Sequence, residues 1–144
     1  MSNEVNATKA NEAPTRLADG TYQPVLTVSD LDRCGRRWML GASIYNYESQ
    51  CAPAVMFATE PALRKIYAGD EEGYRRSLLS TYRYYNATPQ VSGLLLGARL
   101  ALEDKGHNDA IDAVQDLKIG LMGSLSGVGD TIFAILIHTI FGSI

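Results

Sequence analysis

Lys118-Ile119-Gly120-Leu121-Met122-Gly123-Ser124-Leu125-Ser126-Gly127-Val128-Gly129-Asp130 sets four glycines and two serines among apolar residues and ends on a lone carboxylate. An Ile-, Leu- and Phe-rich tail, residues 131–144, follows directly. Each glycine inside a helix costs about 1 kcal/mol against Ala, so a soluble helix does not ordinarily combine this much Gly with this much Ile. Two readings stand side by side. Gly123-x-x-x-Gly127 has the spacing that lets two backbones approach closely in a membrane bundle. The other reading is a glycine loop ahead of a short buried helix.

Working outward, the tail alone makes a helix of about 21 Å, short of the roughly 30 Å of a bilayer's hydrocarbon. Its Ile, Leu and Phe residues favour insertion by about 2.4 to 4.8 kcal/mol, and Asp130 opposes it by about 2.5 to 3.5 kcal/mol. The near-balance implies a bundle segment that needs other helices to cover Gly123, Gly127 and Asp130. All thirteen Lys and Arg residues lie at or before Lys118. That order suits a cytoplasmic N-terminal portion followed by membrane entry.

The 144 residues suffice for one domain with a sizeable core, and the formal net charge of −3 argues against nucleic-acid binding. Two cysteines, Cys34 and Cys51, are too few for a disulfide framework and lack metal-ligand spacing. The first twenty residues are polar, with no signal-peptide core. Residues 1–23 lack hydrophobic periodicity and read as a disordered tail.

Thr27 and Asp30 approximate a capping box, and Leu31 to Tyr47 follows a helical pattern with Cys34 and Trp38 on one stripe. Arg33, Arg36 and Arg37 beside Trp38 suit an interfacial helix, and equally an ordinary surface helix. Asn46-Tyr47-Glu48 follows. Glu48 reads as a general base, a sugar-hydroxyl acceptor, or a carboxylate that caps a helix or pairs with an Arg. Pro61 is placed to open a short helix closed by Gly69. Asp70-Glu71-Glu72 starts the next, carrying a Tyr74, Leu78, Tyr82, Tyr85 stripe. Pro89 ends that pattern. Val91 to Glu103 is strongly apolar but short for a span, which fits a buried or re-entrant helix. The sum is five or six helices and no strand: an all-α fold.

No catalytic set is written here. Gly127-Val128-Gly129 lacks the third glycine of a nucleotide loop, since Ile132 stands in its place. His107 and His138 belong to no metal or nucleophile motif. His107 reads as solvated in a polar turn; His138 in the apolar tail is either a functional group or a neutral, hydrogen-bonded histidine. No cofactor or metal is expected.

Several separated motifs nevertheless occur in a recognisable order. They are Leu26-Thr27-x-x-Asp30-Leu31, Asn46-Tyr47-Glu48, Tyr85-Asn86-x-x-Pro89, Leu96-Gly97 and Leu100-Ala101-Leu102-Glu103, then Lys118-x-Gly120-Leu121-Met122-Gly123-x-Leu125-x-Gly127-x-Gly129-Asp130. From about Leu26 to Gly142 the chain resembles the IID membrane component of the mannose/fructose/sorbose-type sugar phosphotransferase system. The resemblance implies a helical, membrane-associated protein: cytoplasmic and interfacial helices over 24–117 and a glycine-rich re-entrant or transmembrane segment over 118–144. It implies a plasma-membrane subunit, itself non-catalytic, that builds a hexose path with a IIC partner while a IIAB phosphocarrier supplies phosphate. Phosphate is then carried on histidines of those soluble parts, not on His107 or His138. Asn46, Glu48 and Asp130 are the polar residues expected near the sugar path or the IIC interface. Gly120, Gly123, Gly127 and Gly129 are expected to form the packing or re-entrant motif.

The chain departs from the family pattern in places. Ser124 and Ser126 stand where Pro and Ala are common, and Ser49-Gln50-Cys51 where Arg-Met-Gln is usual. After Phe133, Ala134 to Thr139 replaces Trp-Gly-Thr-Leu-Arg-Pro. The length is roughly half that of a typical member, which raises the prospect of a separate C-terminal IID piece as a further partner. A different class of function stays open beside transport: a truncated helical interaction module that docks on IIC or the membrane surface and moves no sugar.

Overall fold

Thr27 and Asp30 start the first helix by bonding each other's backbone. The Asp30 carboxylate accepts from the Thr27 N–H at 2.8 Å, and the Thr27 hydroxyl accepts from the Asp30 N–H at 3.4 Å, a reciprocal capping box. In a computed structural model describing residues 14–41 and 43–142, helix α1 then runs Val28–Gly41. It stops six residues before the Tyr47 suggested by periodicity. At Gly41 an added Cβ would sit 2.8 Å from the Phe57 ring, so the close crossing of α1 and the next helix requires glycine there.

That next helix, α2, spans Ala52–Ile66 and carries Pro61 in its interior, not at its start. Pro61 has no N–H to offer the carbonyl four residues back. The released Phe57 carbonyl accepts instead from Arg37 Nε of α1 at 2.7 Å, and the Arg37 guanidinium lies 4.1 Å from the Phe57 ring centroid. A proline that reads as a helix start is tolerated mid-helix because an arginine from outside takes up the orphaned acceptor. Gly69, at φ +86°, turns the chain after α2.

Helix α3 spans Glu71–Thr81 and is capped by Asp70, whose carboxylate accepts from the Gly73 N–H at 2.8 Å. Asn108 donates to the same carboxylate at 2.7 Å. These bonds hold the Asp70 pKa below the ordinary carboxylate value, the Gly73 N–H contributing most. A depressed folded-state pKa means the stabilisation is present at neutral pH and disappears as pH falls below about 4. Asp70→Ala is expected to cost about 1 kcal/mol at pH 7 and to flatten the acid limb of a pH–stability curve measured by thermal unfolding in detergent.

Helix α4 spans Pro89–Gly106, longer than the thirteen residues its apolar run suggests. A 3₁₀ turn, His107–Asp109, reverses the chain into α5, Ala110–Gly129. A π-helical segment, Asp130–Leu136, continues α5 and a last turn, α6, spans Ile137–Phe141. The glycine run is therefore helix, and the loop reading fails. Among the described residues there is one helical stretch long and apolar enough to cross a membrane, within Pro89–Phe141, with mean hydropathy 1.6 and only 6% of its apolar window buried. From Ile119 to Phe141 the helix is about 34 Å long, against roughly 30 Å of hydrocarbon.

α1 packs on α2, α2 on α3 and α4, and α4 antiparallel against α5. Two apolar clusters result. One gathers Trp38, Val55, Tyr85, Leu95 and Leu96 against Leu121, Met122 and Leu125 of α5. The other gathers Cys34, Leu63, Ile66, Tyr74, Leu100 and Ile111. Among the described residues, extended structure is limited to isolated bridges.

Several expectations are corrected by this packing. Trp38 is 7% exposed and donates its indole N–H to the Pro89 carbonyl at 3.1 Å, so it is core and not an interfacial anchor. The tyrosine stripe breaks, because α3 ends at Thr81 and leaves Tyr82 exposed while Tyr74 and Tyr85 are buried. His107 is 4% exposed, with Tyr22 stacked at 3.9 Å between ring centroids and Tyr67 edge-on at 5.4 Å. Of the polar tail, residues 1–13 lie outside the described residues. Residues 14–26 are strapped to the body: the Tyr22 N–H donates to the Lys105 carbonyl at 2.8 Å, and Asp104 accepts from the Val25 and Leu26 N–H groups at 2.9 and 3.2 Å.

Candidate functional site

Asn46 begins the site because its side chain closes a turn on itself. Its Oδ1 accepts from the Ser49 N–H at 2.7 Å and from the Ser49 hydroxyl at 3.0 Å, the Asx turn for which Asn is suited. Gln50 completes the loop in the left-handed region at φ +57°, with Nε2 donating to the Tyr47 carbonyl at 3.0 Å. Glu48 is exposed at the loop tip beside Tyr47, which is 92% exposed. Asn46 thus shapes the loop and Glu48 is presented by it.

Backbone pairing fastens this loop to the segment before α4. The Cys51 N–H donates to the Tyr85 carbonyl at 2.9 Å, and the Tyr85 N–H to the Ser49 carbonyl at 3.2 Å. Three residues further on, Thr88 stands at the position just before α4 and meets Asp130 across the bundle. Its hydroxyl donates to Asp130 Oδ1 at 2.9 Å and lies 3.1 Å from the Ser126 carbonyl. The segment Tyr85–Thr88 therefore brings Asn46, Glu48 and Asp130 to the same end of the bundle, without a direct bond between loop and carboxylate. Asp130 also opens the π-helical segment, where backbone geometry departs from the α ladder, as it often does at functional sites.

The four glycines divide into two kinds. A Cβ on Gly129 would overlap the Thr88 side chain, with Thr88 Cγ2 2.8 Å away. Its role is internal: it lets α5 approach the start of α4. Gly120, Gly123 and Gly127 meet nothing within 4 Å and stay exposed. Gly129→Val is expected to push the ends of α4 and α5 apart and cost about 1 to 3 kcal/mol, while Gly123→Ala leaves thermal stability in detergent unchanged or slightly raised.

A buried polar layer, which periodicity does not reveal, lies further along α4 and ties it to α3. Glu103 is 0% exposed and accepts from Arg99 at 2.8 Å, from the Tyr67 hydroxyl at 3.0 Å and from the Ser77 hydroxyl. Burial, then the Glu103 charge, pushes the Tyr67 hydroxyl far above its ordinary pKa. Arg99 also donates to the Ser77 carbonyl at 3.1 Å, Gln115 to the Ser80 carbonyl at 2.6 Å and Lys118 to the Arg83 carbonyl at 3.2 Å. Gln115 and, at 3.5 Å, Lys118 thereby reach the Ser80 carbonyl in the open last turn of α3, and Lys118 carries the charge sign that helix end favours. The buried Tyr85 hydroxyl lines a small cavity of about 20 Å³ beside Arg99, Gln115 and Lys118, just roomy enough for one water. Among the described residues no group of His, Cys, Asp and Glu is arranged to hold a metal.

An all-helical body with a long apolar helix leaving it, and polar loops gathered where that helix departs, defines a helical membrane-associated protein. The family model for PTS system mannose/fructose/sorbose family IID components matches residues 25–144, and the chain belongs to that family. It is 34% identical over 127 residues to the mannose-specific EIID component of Escherichia coli K12, covering 86% of this chain and 45% of that protein. It is 32% identical over 99 residues to the fructose permease IID component of Bacillus subtilis, covering 67% of this chain and 35% of the relative. Among solved structures, one chain of the mannose transporter ManYZ in complex with microcin E492 superposes with a TM-score of 0.75 at 30% identity, over 84% of this chain and 45% of that one. The chain thus spans about half the length of the relatives it matches.

Proposed function

We propose that this chain supplies the N-terminal half of a IID-type sugar-translocation unit in the plasma membrane. It works there with a IIC partner and a IIAB phosphocarrier, in phosphoenolpyruvate-driven uptake of a mannose-type hexose. The observation carrying this reading is the helix from Ala110 to Phe141 with Gly120, Gly123 and Gly127 open along it. In water such a surface has no purpose. In a bilayer, exposed small residues are where another helix seats, because association there depends on close van der Waals packing. The confinement of every Lys and Arg to residues at or before Lys118 supports a cytoplasmic N-terminal body.

In this reading Asn46, Glu48 and Asp130 line the sugar path or the IIC contact. Asp130 is the strongest of the three, since a carboxylate at membrane depth demands a purpose and Thr88 occupies only one of its oxygens. The chain has no phosphoryl chemistry of its own to perform; its contribution is shape and hydrogen bonding.

Co-expression of the tagged chain with IIC tests this. Joint purification from membranes, with uptake lost on deleting the chain and reduced at least about tenfold by Asp130→Ala in an intact complex, is the expected result. Capture of IIC with uptake unaffected by deletion would mean that the chain docks without transporting.

A further inference from the structure

Helices α3 and α5 run side by side, Arg76 near Asp112 and Arg83 near Lys118, and leave between them a half-open cleft of about 210 Å³. Its walls carry Arg76, Ser80 and Arg83 from one helix and Asp112 and Gln115 from the other. Gln115 is committed to Ser80, and Asp112 is the single carboxylate of the lining. Among the described residues neither Arg76 nor Arg83 enters an ion pair. The cleft therefore holds two guanidinium groups with spare donors and one net positive charge.

Its height on the molecule is fixed. Lys118 holds the Arg83 carbonyl, so Arg83 stands at the level where α5 passes from polar residues to the uncharged run beginning at Ile119. The Asn86 N–H reaches the Met122 sulfur at 3.2 Å, placing the segment between them one turn further along. Around this level the surface carries Leu79 (60% exposed), Tyr82 (46%) and Tyr84. Tyrosines and arginines at the point where a helix turns apolar are the composition of a membrane–water interface.

We propose that this cleft binds the phosphate of an anionic phospholipid, Arg76 and Arg83 clamping the headgroup while the acyl chains lie along Ile119 and the apolar helix beyond it. The inference rests on the reading that α5 enters the bilayer after Lys118. Arginine suits the task because its planar fork pairs two N–H groups with phosphate oxygens. The ligand is a lipid and not a free phosphate because the cleft opens at the level of the tyrosines and of Ile119, beside an apolar surface that a soluble anion would not use.

The full chain is reconstituted in phosphatidylcholine vesicles with and without phosphatidylglycerol, and the lipids retained after detergent extraction are counted by native mass spectrometry. Each basic side chain near an anionic surface is worth roughly fivefold in affinity, so a preference for phosphatidylglycerol of about 20- to 30-fold is expected. Arg76→Gln with Arg83→Gln is expected to bring it near unity, while Arg75→Gln, on the same helix but outside the cleft, leaves most of it. An equal loss with Arg75→Gln would mean diffuse surface charge and overturn the site. Displacement of the lipid by soluble glycerol phosphate at similar concentration would also overturn it, in favour of a free phosphate. Flotation with pure phosphatidylcholine vesicles separates the two readings. Flotation without phosphatidylglycerol preference refutes the cleft alone; no flotation refutes membrane entry and the cleft together.

Discussion

Glu103→Ala is expected to lower stability by about 3 to 5 kcal/mol, the range for removing one partner of a buried ion pair. The carboxylate is fully buried and is shared by Arg99, Tyr67 and Ser77. Removing it leaves Arg99, itself buried, with its charge uncompensated. Thermal unfolding in detergent, followed by helical circular dichroism, reads the effect directly. The double change Arg99→Met, Glu103→Leu is expected to recover most of the loss, because apolar side chains of similar volume replace a buried pair at little cost. If the double variant were as unstable as the single one, the layer would matter for its bonds to Ser77 of α3 more than for its charge pairing.

Trp38→Ala is expected to cost about 3 to 5 kcal/mol, as for other large-to-small changes in a core. Trp38 fills the space between α1, α2 and the start of α4, and its N–H holds the Pro89 carbonyl. Trp38→Phe keeps the packing and loses the bond, so it should cost roughly 1 kcal/mol. An interfacial anchor would behave oppositely: Trp38→Ala would weaken membrane binding with no change in unfolding temperature.

How legible was this in the sequence? The capping box at Thr27 and Asp30 and the acidic start of α3 are local signals, and both are where local chemistry puts them. The ordered motifs ending at Asp130 carry the family, and the match over residues 25–144 bears this out. What fails are judgements that depend on neighbours distant in sequence. Pro61 reads as a helix start until Arg37 is seen to take its orphaned carbonyl partner. His107 reads as solvated until Tyr22, eighty-five residues earlier, is found stacked upon it. Arg99 and Glu103 lie four apart on one helix, the spacing of an ordinary surface pair; only α3 packing over them with small residues, Ser77 and Ser80, buries them.

The candidate site divides in the same way. Asp130 stands out in sequence as a carboxylate in an apolar setting, but its partner Thr88 is hidden inside the Tyr85-Asn86-x-x-Pro89 motif. Asn46 and Glu48 form one motif yet point to different tasks, one folding the loop and the other standing free on it. The glycines look alike in sequence. Only the approach of Thr88 separates Gly129, needed within the chain, from the three on the open face.

A cysteine scan across residues 112–141 in native membranes, read with a water-soluble maleimide, tests most directly the claim that the glycine run enters the bilayer as continuous helix. Cys34 and Cys51 are both buried, so the background is low. Exposed positions such as Asp112 and Asp116 are predicted to react, and positions from Ile119 through Phe141 to resist, apart from Asp130 on the proposed sugar path. A patch of fast labelling at Gly123 to Gly127, flanked by protected residues, would show the chain turning back within the membrane and would contradict the account.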